Sequence, residues 1–215
     1  MPTLAELNDQ IVACRLCPRL VAWRELVAVE KKRAFQDEEY WGKPVPIFGD
    51  PEANRLIVGL APAAHGANRT GQMFTGDRSG EWLFRALNKA GVANHPNTHS
   101  RYDGMLLKGA LIAATCHCAP PDNKPLPEEV RNCSGYLTAL LASREWNSIL
   151  CLGSIAWNHV HRLLGKTPPK FGHGAVSEVG GLKIVASYHP SQQNTFTGKL
   201  TEDMLDAAIA EWLGD

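Results

Sequence analysis

Four short apolar runs constrain the fold of this chain more than any other feature. They span residues 56–60, 110–115, 148–152 and 182–187, and each is apolar almost throughout. Runs of this length and composition are typical of strands that helices cover on both faces. Helical patterns lie between them at 80–90, 127–143 and 154–164, with an opening helix at 4–15 and a closing helix at 200–213. The alternation predicts a three-layer α/β/α fold around a parallel sheet with right-handed crossovers.

Length and composition fit one domain that covers residues 1–215. Hydrophobic residues make up 44% of the chain and charged residues 20%, which is ordinary for a globular protein. No internal repeat or long linker divides the chain, although residues 24–50, rich in charged and aromatic side chains, predict a long surface excursion. No apolar run approaches the roughly 20 residues of a membrane helix, and the N-terminus lacks a secretory signal pattern. We therefore expect a cytoplasmic protein.

The charge balance limits the kinds of partner. The formal net charge is zero, so a nucleic-acid partner would have to be held by a local basic patch and not by a global field.

Six cysteines are the strongest pointer to a bound inorganic group. Thiols stay reduced in the cytoplasm, so metal ligands or buried thiols are expected there and disulfides are not. Four of the cysteines form two pairs, in which Cys14 and Cys17 open the chain and Cys118 and Cys133 lie about a hundred residues later. Four thiolates suit a tetrahedral metal or an iron–sulfur cluster. The spacing alone does not choose between Cys116 and Cys118, while Cys151 lies within a strand pattern and is interpreted as a core residue.

Polar loops follow three of the predicted strands, at residues 61–80, 116–125 and 188–195. In a parallel α/β sheet these loops meet at the carboxyl edge, where ligands bind. Phe74 lies in the first loop just ahead of Asp77, and an aromatic face beside a carboxylate suits a stacked nucleobase. The alternative for Asp77 is a purely structural helix N-cap.

Two further polar residues are candidates for the same edge. His189 ends the last predicted strand, with Asn194 five residues on, a position that favours a functional role. Asn123 lies between two prolines in the second cysteine loop, where a turn residue is the alternative interpretation.

Several motifs together carry a resemblance to a known family. They are Cys-Arg-Leu-Cys-Pro-Arg-Leu-Val-Ala-Trp-Arg at 14–24, Phe-Gly-Asp-Pro at 48–51, Gly-Leu-Ala-Pro at 59–62, Ala-His-Gly-Ala-Asn-Arg-Thr-Gly at 64–71, Phe-Thr-Gly-Asp at 74–77, Cys-Ala-Pro-Pro-Asp-Asn-Lys-Pro at 118–125 and Ser-Tyr-His at 187–189. With these motifs the chain resembles, nearly end to end, the family 5 (type B) uracil-DNA glycosylases, in the iron–sulfur branch of the uracil-DNA glycosylase superfamily.

The resemblance implies a fold, a cofactor and a reaction. The fold is a four-stranded parallel sheet between helices, and the cofactor is a [4Fe–4S] cluster held by Cys14, Cys17, Cys118 and Cys133. The reaction is hydrolysis of the N-glycosidic bond of uracil in DNA, and we also expect other deaminated bases such as hypoxanthine and xanthine. The alternative class is a non-catalytic nucleic-acid or nucleotide binder that keeps the fold and the cluster, and a zinc or iron–sulfur redox protein is a weaker rival.

Roles follow for the candidate residues. We expect Asp77 to hold the attacking water, Asn123 and His189 to donate hydrogen bonds to the leaving base or a phosphate, and Phe74 to stack on the flipped base. We predict further substrate contacts from Gly59, Leu60, Ala61, Pro62, Ala63, His65 and Asn194. Candidates for phosphate contact are Lys124, Arg69 and the loop 190–199.

The chain departs from related patterns at three positions. The sister family 4 has a glutamate and a base-reading asparagine where this chain has Leu60 and Ala114, which predicts a roomier and less selective pocket. Ala63 replaces a common glycine and is expected to crowd that pocket slightly.

The expected partner is double- or single-stranded DNA that contains deaminated bases, bound by a monomer associated with the nucleoid, with no membrane partner.

Overall fold

The computed structural model describes residues 2–214, and a six-stranded sheet forms the middle of the molecule. The strands are β1 (Phe48–Gly49), β2 (Arg55–Gly59), β3 (Ala110–Ala114), β4 (Ser148–Leu152), β5 (Val176–Val179) and β6 (Leu182–Ser187). Their order across the sheet is β1-β3-β2-β4-β6-β5. The four central strands run parallel to one another, and the two edge strands β1 and β5 pair antiparallel.

Helices cover both faces of this sheet. They are α1 (Leu4–Ala13), α2 (Pro18–Glu30), α3 (Ala67–Thr70), α4 (Arg78–Lys89), α5 (Pro127–Ala142), α6 (Ser154–Leu163), α7 (Gln192–Phe196) and α8 (Glu202–Leu213). Helices α4 and α8 pack on the face that presents Ile57 and Ile112. Helices α1, α5 and α6 pack on the opposite face, which presents Val58 and Leu111. Because successive strand side chains alternate between faces, each central strand contributes to both layers of the core.

Local sequence signals explain where several helices begin. Thr3 and Glu6 form a capping box at the start of α1, in which each side chain bonds the backbone of the other residue. Pro18 occupies the first turn of α2, where its missing N–H costs no hydrogen bond. Asp77 caps α4 and Thr201 caps α8 through their side-chain oxygens.

The three-layer α/β/α architecture and the four parallel central strands are confirmed. The four-stranded count is too low, because two short antiparallel edge strands extend the sheet to six. An antiparallel edge strand can be buried on one face only, so its sequence need not show the continuous apolar run that is typical of a central parallel strand.

The surface excursion expected at residues 24–50 is wrong for much of its length. Its first part belongs to helix α2, and Tyr40, Val45 and Ile47 are buried further on. The buried residues of α2 include a charged one, Arg24, so that no clean apolar stripe marks this helix in the sequence.

The carboxyl ends of the central strands position the loops that matter for function. Strand β2 ends at Gly59, β3 at Ala114 and β6 at Ser187, and the parallel pairing places these ends on one edge. No helix in the described part of the chain is long and apolar enough to cross a membrane.

Candidate active site and thiol cavity

A cavity of about 710 Å³ opens at the carboxyl edge of the sheet. All the sequence-predicted catalytic and substrate residues line it except Asn194. They are Gly59, Leu60, Ala61, Pro62, Ala63, His65, Phe74, Asp77, Asn123 and His189. Ala114 lines it too, at the position where the sister family 4 has its base-reading asparagine. The fold therefore brings together residues that are more than 120 positions apart in the chain.

Phe74 is held in an uncommon backbone conformation. Its φ of 56° lies in the left-handed region, which costs free energy for a residue with a side chain. Its ring packs on Gly59, where a Cβ would come within 2.9 Å of two ring carbons. The ring also stacks on the imidazole of His189, with centroids 5.9 Å apart and an interplanar angle of 29°. The aromatic face is thus fixed in the cavity wall beside His189.

Asp77 caps a helix and also lines the cavity. Its Oδ1 accepts a hydrogen bond of 2.9 Å from the backbone N–H of Gly80, so the N-cap interpretation is confirmed. Its other oxygen, Oδ2, packs against Gly66, where any Cβ would clash with it. Burial raises the pKa of this carboxyl above its usual value, against the lowering effect of the Gly80 and Ser79 backbone hydrogen bonds. Because Asp77 still lines the cavity, capping the helix holds the carboxylate in place for a ligand.

His189 is a neutral imidazole at physiological pH. Burial lowers the pKa of His189 to about 4, because the charged form loses its solvation. The side-chain amide of Asn194 donates a hydrogen bond of 2.8 Å to the His189 carbonyl oxygen. The structure does not bring Asn194 into the cavity lining: its amide supports the backbone that carries His189, and its predicted substrate contact stays a prediction.

Asn123 lies on an unusual turn. Asp122 and Asn123 both have positive φ, at 53° and 56°, directly after Pro120 and Pro121. Asparagine and aspartate tolerate this conformation better than most residues. The turn interpretation is thus correct, and the same turn projects Asn123 into the cavity mouth.

His65 is oriented by a buried tyrosine. The Tyr40 hydroxyl accepts a hydrogen bond from the Lys32 backbone N–H at 3.3 Å and lies 3.1 Å from His65 Nδ1. Since the hydroxyl accepts from Lys32, its own proton is available to His65 Nδ1, which favours the tautomer protonated at Nε2. Burial and the nearby cations Lys32 and Arg69 lower the pKa of His65.

The Arg69 side chain is engaged by partners within the protein, which argues against its predicted phosphate contact. The side chain is buried and pairs with Glu38. It also donates to the carbonyl oxygens of His65 at 2.8 Å and Gly76 at 3.1 Å. Nothing in the sequence around Arg69 indicates this internal role, because the role depends on a partner, Glu38, that is distant in the chain.

Sequence reasoning missed part of the cavity wall. The missed residues include Lys32, Phe35, Arg78 and Ser79, whereas Ser191, Gln192 and Gln193 fall in the loop 190–199 that was predicted to contact phosphate. Lys32 and Phe35 lie in the supposed surface excursion. The basic run at 31–33 followed by an aromatic residue was the available signal.

A second, smaller cavity is lined by five thiols, and we call it the thiol cavity. The thiols are those of Cys14, Cys17, Cys116, Cys118 and Cys133. Cys14 ends helix α1, Cys17 caps α2 and Cys133 lies within α5. Tertiary folding therefore unites the two cysteine pairs of the sequence and adds Cys116. Cys151 is buried within β4, as expected for a core residue.

N–H donors point at three of these sulfur atoms. Arg24 Nη1 donates to Cys118 Sγ at 2.9 Å, and the His117 backbone N–H donates to Cys133 Sγ at 3.4 Å. Asn132 Nδ2 donates to Cys17 Sγ at 3.5 Å. Arg24 is 2% exposed, and its Nε has no hydrogen-bond partner. A buried cation beside several thiols is favourable when those thiols are anionic, as they are when they bind metal.

The donor set of the thiol cavity is one that binds inorganic groups. Within residues 2–214, no group of three His, Cys, Asp or Glu side chains is placed to hold a single metal ion. Five thiols line the cavity, and thiolates are the ligands of both zinc ions and iron–sulfur clusters.

Comparisons with known proteins agree with this fold. Residues 46–213 match the family model described as the uracil DNA glycosylase superfamily. That span begins just ahead of β1 and contains the whole sheet and most of the residues that line the active-site cavity.

Relatives match over nearly the full chain. A type-5 uracil-DNA glycosylase of Mycobacterium tuberculosis is 52% identical over 215 residues, covering 97% of this chain and 80% of that protein. Proteins of the same name from Thermus thermophilus and Pyrobaculum aerophilum are 48% and 45% identical, covering 94% and 96% of this chain. The same matches cover 93% and 91% of the lengths of those two proteins. The chain therefore belongs to the uracil-DNA glycosylase superfamily, in its type-5 branch.

Proposed function

We propose that this protein is a DNA-repair glycosylase that hydrolyses the N-glycosidic bond of uracil in DNA and leaves an abasic site. The observation that carries the proposal is one cavity in which an aromatic face, a carboxylate and a neutral imidazole meet, from Phe74, Asp77 and His189. A base can reach this cavity only when it is flipped out of the helix, at a cost of about a few kcal/mol that a mispair reduces. Stacking on Phe74 offsets part of that cost.

The transition state of the reaction combines a cationic sugar with an anionic leaving base. We expect the Asp77 carboxylate, which lines the cavity, to hold the attacking water and to stabilise the positive charge on the sugar. The Gly80 hydrogen bond and the contact with Gly66 restrict the carboxylate to one orientation. Burial strengthens its interaction with a nearby cation, because the local dielectric constant is low.

His189 and Asn123, which line the same cavity, supply donors for the leaving base. Because its pKa is lowered to about 4, His189 is neutral at physiological pH, and its one ring N–H can donate a hydrogen bond to the leaving base. Asn123 supplies a second donor from its turn at the mouth. Such donors matter most when the negative charge develops in the transition state.

The lesion range is expected to extend beyond uracil. Ala114 leaves no side-chain amide at the end of β3 to pair with one particular base edge. A pocket without that hydrogen bond discriminates weakly between bases. We infer that hypoxanthine and xanthine are accepted too.

The DNA partner is expected in both double- and single-stranded form. Lys124 and Arg78 lie at the cavity, together with the first turn of α7, and supply cations and donors for phosphates. We expect a monomer, because the active-site cavity of one chain carries all these contacts. Six free thiols suit the reducing cytoplasm, where the protein would associate with the nucleoid.

The thiol cavity is proposed to hold a [4Fe–4S] cluster through Cys14, Cys17, Cys118 and Cys133. When bound, the cluster would supply a rigid covalent link between helices α1, α2 and α5. Arg24 and Asn132 would donate hydrogen bonds to its thiolate ligands.

The decisive experiment measures base release from oligonucleotides that contain one uracil. The wild type is expected to produce alkali-labile sites, while Asp77→Asn reduces the rate by about 10²–10³-fold or more, the range seen when one electrostatic stabiliser is removed. Asp203→Asn, in the first turn of α8 and outside the cavity, is the matched control and keeps the wild-type rate. Parallel substrates with hypoxanthine and xanthine test the lesion range.

Two results would contradict the proposal. A wild type that binds uracil-containing DNA without base release would favour a non-catalytic binder of the same fold. Wild-type turnover by Asp77→Asn would remove the carboxylate from the mechanism.

A further inference from the structure

Residues 31–40 cross one side of the active-site cavity, and we call this segment the strap. It begins at Lys31, whose φ of 51° turns the chain sharply at the end of helix α2. A short 3₁₀ turn follows at Arg33–Phe35, and Lys32 and Phe35 line the cavity. The strap therefore forms part of the cavity wall, although it is separate in the sequence from the motifs at the strand ends.

Long-range contacts fix the strap against the β2–α4 loop. The Arg69 guanidinium lies 4.0 Å from the centroid of the Phe35 ring and pairs with Glu38. The Tyr40 hydroxyl bridges the Lys32 backbone N–H and the His65 ring. Contacts at Phe35, Glu38 and Tyr40 therefore hold the ten-residue strap. The Tyr40 hydroxyl also accepts a hydrogen bond from the Lys32 backbone N–H, so the backbone of Lys32 is held directly.

The Lys32 side chain is exposed to solvent, so its ammonium is accessible to a ligand. Among the ion pairs formed by the described residues, none includes Lys32. Its ammonium lies 6.0 Å from the Phe35 ring and is close enough to His65 to affect that imidazole electrostatically. By contrast, Lys31 donates to the Gln36 carbonyl oxygen at 3.1 Å.

We propose that the strap is a DNA-backbone contact surface and that Lys32 binds a phosphate beside the flipped nucleotide. This inference rests on the proposed glycosylase function. A phosphate is favoured over a base, because Lys32 is exposed at the rim, whereas Gly59 and Ala114 form the deep end of the cavity at the strand termini. An exposed ammonium held at the rim by a fixed backbone meets the chain of phosphates on either side of the lesion.

The test is the salt dependence of DNA binding. A duplex with a tetrahydrofuran abasic analogue is bound but not cleaved, so binding is measured without turnover. Each phosphate contact adds about 0.9 to the slope of log affinity against log salt concentration for duplex DNA. Lys32→Ala should lower the magnitude of the slope by about 0.9, and should weaken binding about 8-fold at 0.1 M salt while matching the wild type on extrapolation to 1 M.

Three further variants sharpen the result. Lys32→Arg keeps the cation and should retain the wild-type slope. Lys170→Ala removes an exposed lysine that does not line the cavity and should change nothing. Tyr40→Phe keeps every charge but releases the Lys32 backbone and His65, so it should weaken binding with the slope unchanged.

The outcomes separate this inference from the proposed function. If the wild type excises uracil but Lys32→Ala shows the slope and affinity of Lys170→Ala, the strap is a wall only and the phosphate contact is refuted. If the wild type releases no uracil, the proposed function fails, whatever the slopes are.

Discussion

Burial shifts the pKa values of two titratable residues that line the active-site cavity in opposite directions. It raises the pKa of the Asp77 carboxyl and lowers the pKa of His189 to about 4. The physical cause is the same in both, because a low-dielectric site disfavours the charged form of either group. The protein keeps Asp77 in this unfavourable site, which is typical of a residue retained for chemistry and not for stability.

The first prediction concerns the stability of Asp77→Asn. The raised pKa means that folding favours the protonated carboxyl, so the wild type loses stability as the pH rises from 3.8 through the folded-state pKa. Asparagine carries no charge, yet its side-chain oxygen can still cap α4. The variant should unfold at higher urea concentration than the wild type at pH 8, and the difference should vanish below pH 3.8.

Urea titrations at several pH values measure this effect. Asp203→Asn is the control, and it should show no gain that grows with pH. A less stable Asp77→Asn at pH 8 would mean that the carboxylate stabilises the fold.

Single residues were predictable where the local sequence sets their position. Phe74, Asp77 and His189 lie next to predicted strand or helix ends, and each was placed correctly in the cavity. Arg69 and Asn194 bond partners within the protein, Glu38 and the His189 carbonyl oxygen, which are known only after folding. A polar side chain in a loop does not by itself show whether it faces a ligand or the protein.

Among the structural elements, the loop from Phe74 to α4 depends on one glycine. Any Cβ on Gly80 would overlap the Phe74 carbonyl oxygen, so no other residue fits without moving the loop. Phe74 already has a positive φ and cannot relax freely.

The second prediction compares two helical glycines. Gly80→Ala should cost about 1–3 kcal/mol of unfolding free energy through overpacking and should also displace Phe74 and lower the rate of uracil release. Gly135→Ala, in the interior of α5 with no atom within 4 Å of the new methyl, should gain about 0.5–1 kcal/mol. Denaturant unfolding and the oligonucleotide assay measure both. Equal effects of the two changes would contradict the role given to the loop.

Helix α7 provides the third prediction. Phe196 ends this helix 71% exposed, and the Arg78 guanidinium lies 5.5 Å from its ring centroid. An exposed aromatic beside the cavity can fill the space that a flipped base leaves in a duplex. Phe196→Ala should therefore reduce kcat/KM on double-stranded uracil DNA by about tenfold, or roughly 1.4 kcal/mol, and change single-stranded activity little.

The matched control for this helix is Tyr102→Ala. Tyr102 is also a highly exposed aromatic but does not line the active-site cavity, so both substrates should be cleaved at the wild-type rate. An equal loss on both strand types in Phe196→Ala would mean that the ring does not act as a wedge.

Elements were predictable in proportion to their periodicity. The four central strands are apolar on both faces and were found, since a parallel sheet buries both sides. Helix α2 was missed, because its buried positions include Arg24, whose partners are the Cys14 carbonyl oxygen and Cys118 Sγ. A buried charge is acceptable only beside such partners, which a sequence pattern does not reveal.

For the whole molecule, the thiol cavity links parts that are distant in the chain. It joins the α1–α2 junction to α5 and to the segment after β3. An ion pair of 2.7 Å between Arg19 and Glu129 supports the same junction. Cys116 also connects the two cavities, since its backbone N–H donates to the Leu60 carbonyl oxygen at 3.0 Å.

The fourth prediction tests the proposed cluster ligands. Cys14→Ser should remove most of the iron and the visible absorbance, and should lower Tm. A loss of about 2 kcal/mol corresponds to roughly 4–8 °C in a chain of this size. Cys116→Ser is the matched control: it lines the same thiol cavity but is not a proposed ligand, so iron content should be unchanged. Loss of iron in Cys116→Ser would reverse the assignment of Cys118.

The sequence by itself determined the three-layer α/β/α architecture, the carboxyl edge of the sheet as the site and most residues of that site. The architecture and the edge follow from hydrophobic periodicity and from the polar loops at the strand ends, which are local properties, whereas residues such as His65 were indicated by the resemblance to a known family. Tertiary structure alone decided which polar side chains face the cavity, that Cys116 joins the other thiols, and that the strap supplies Lys32. The physical reason is that a side chain's direction and charge balance depend on partners far away in the chain.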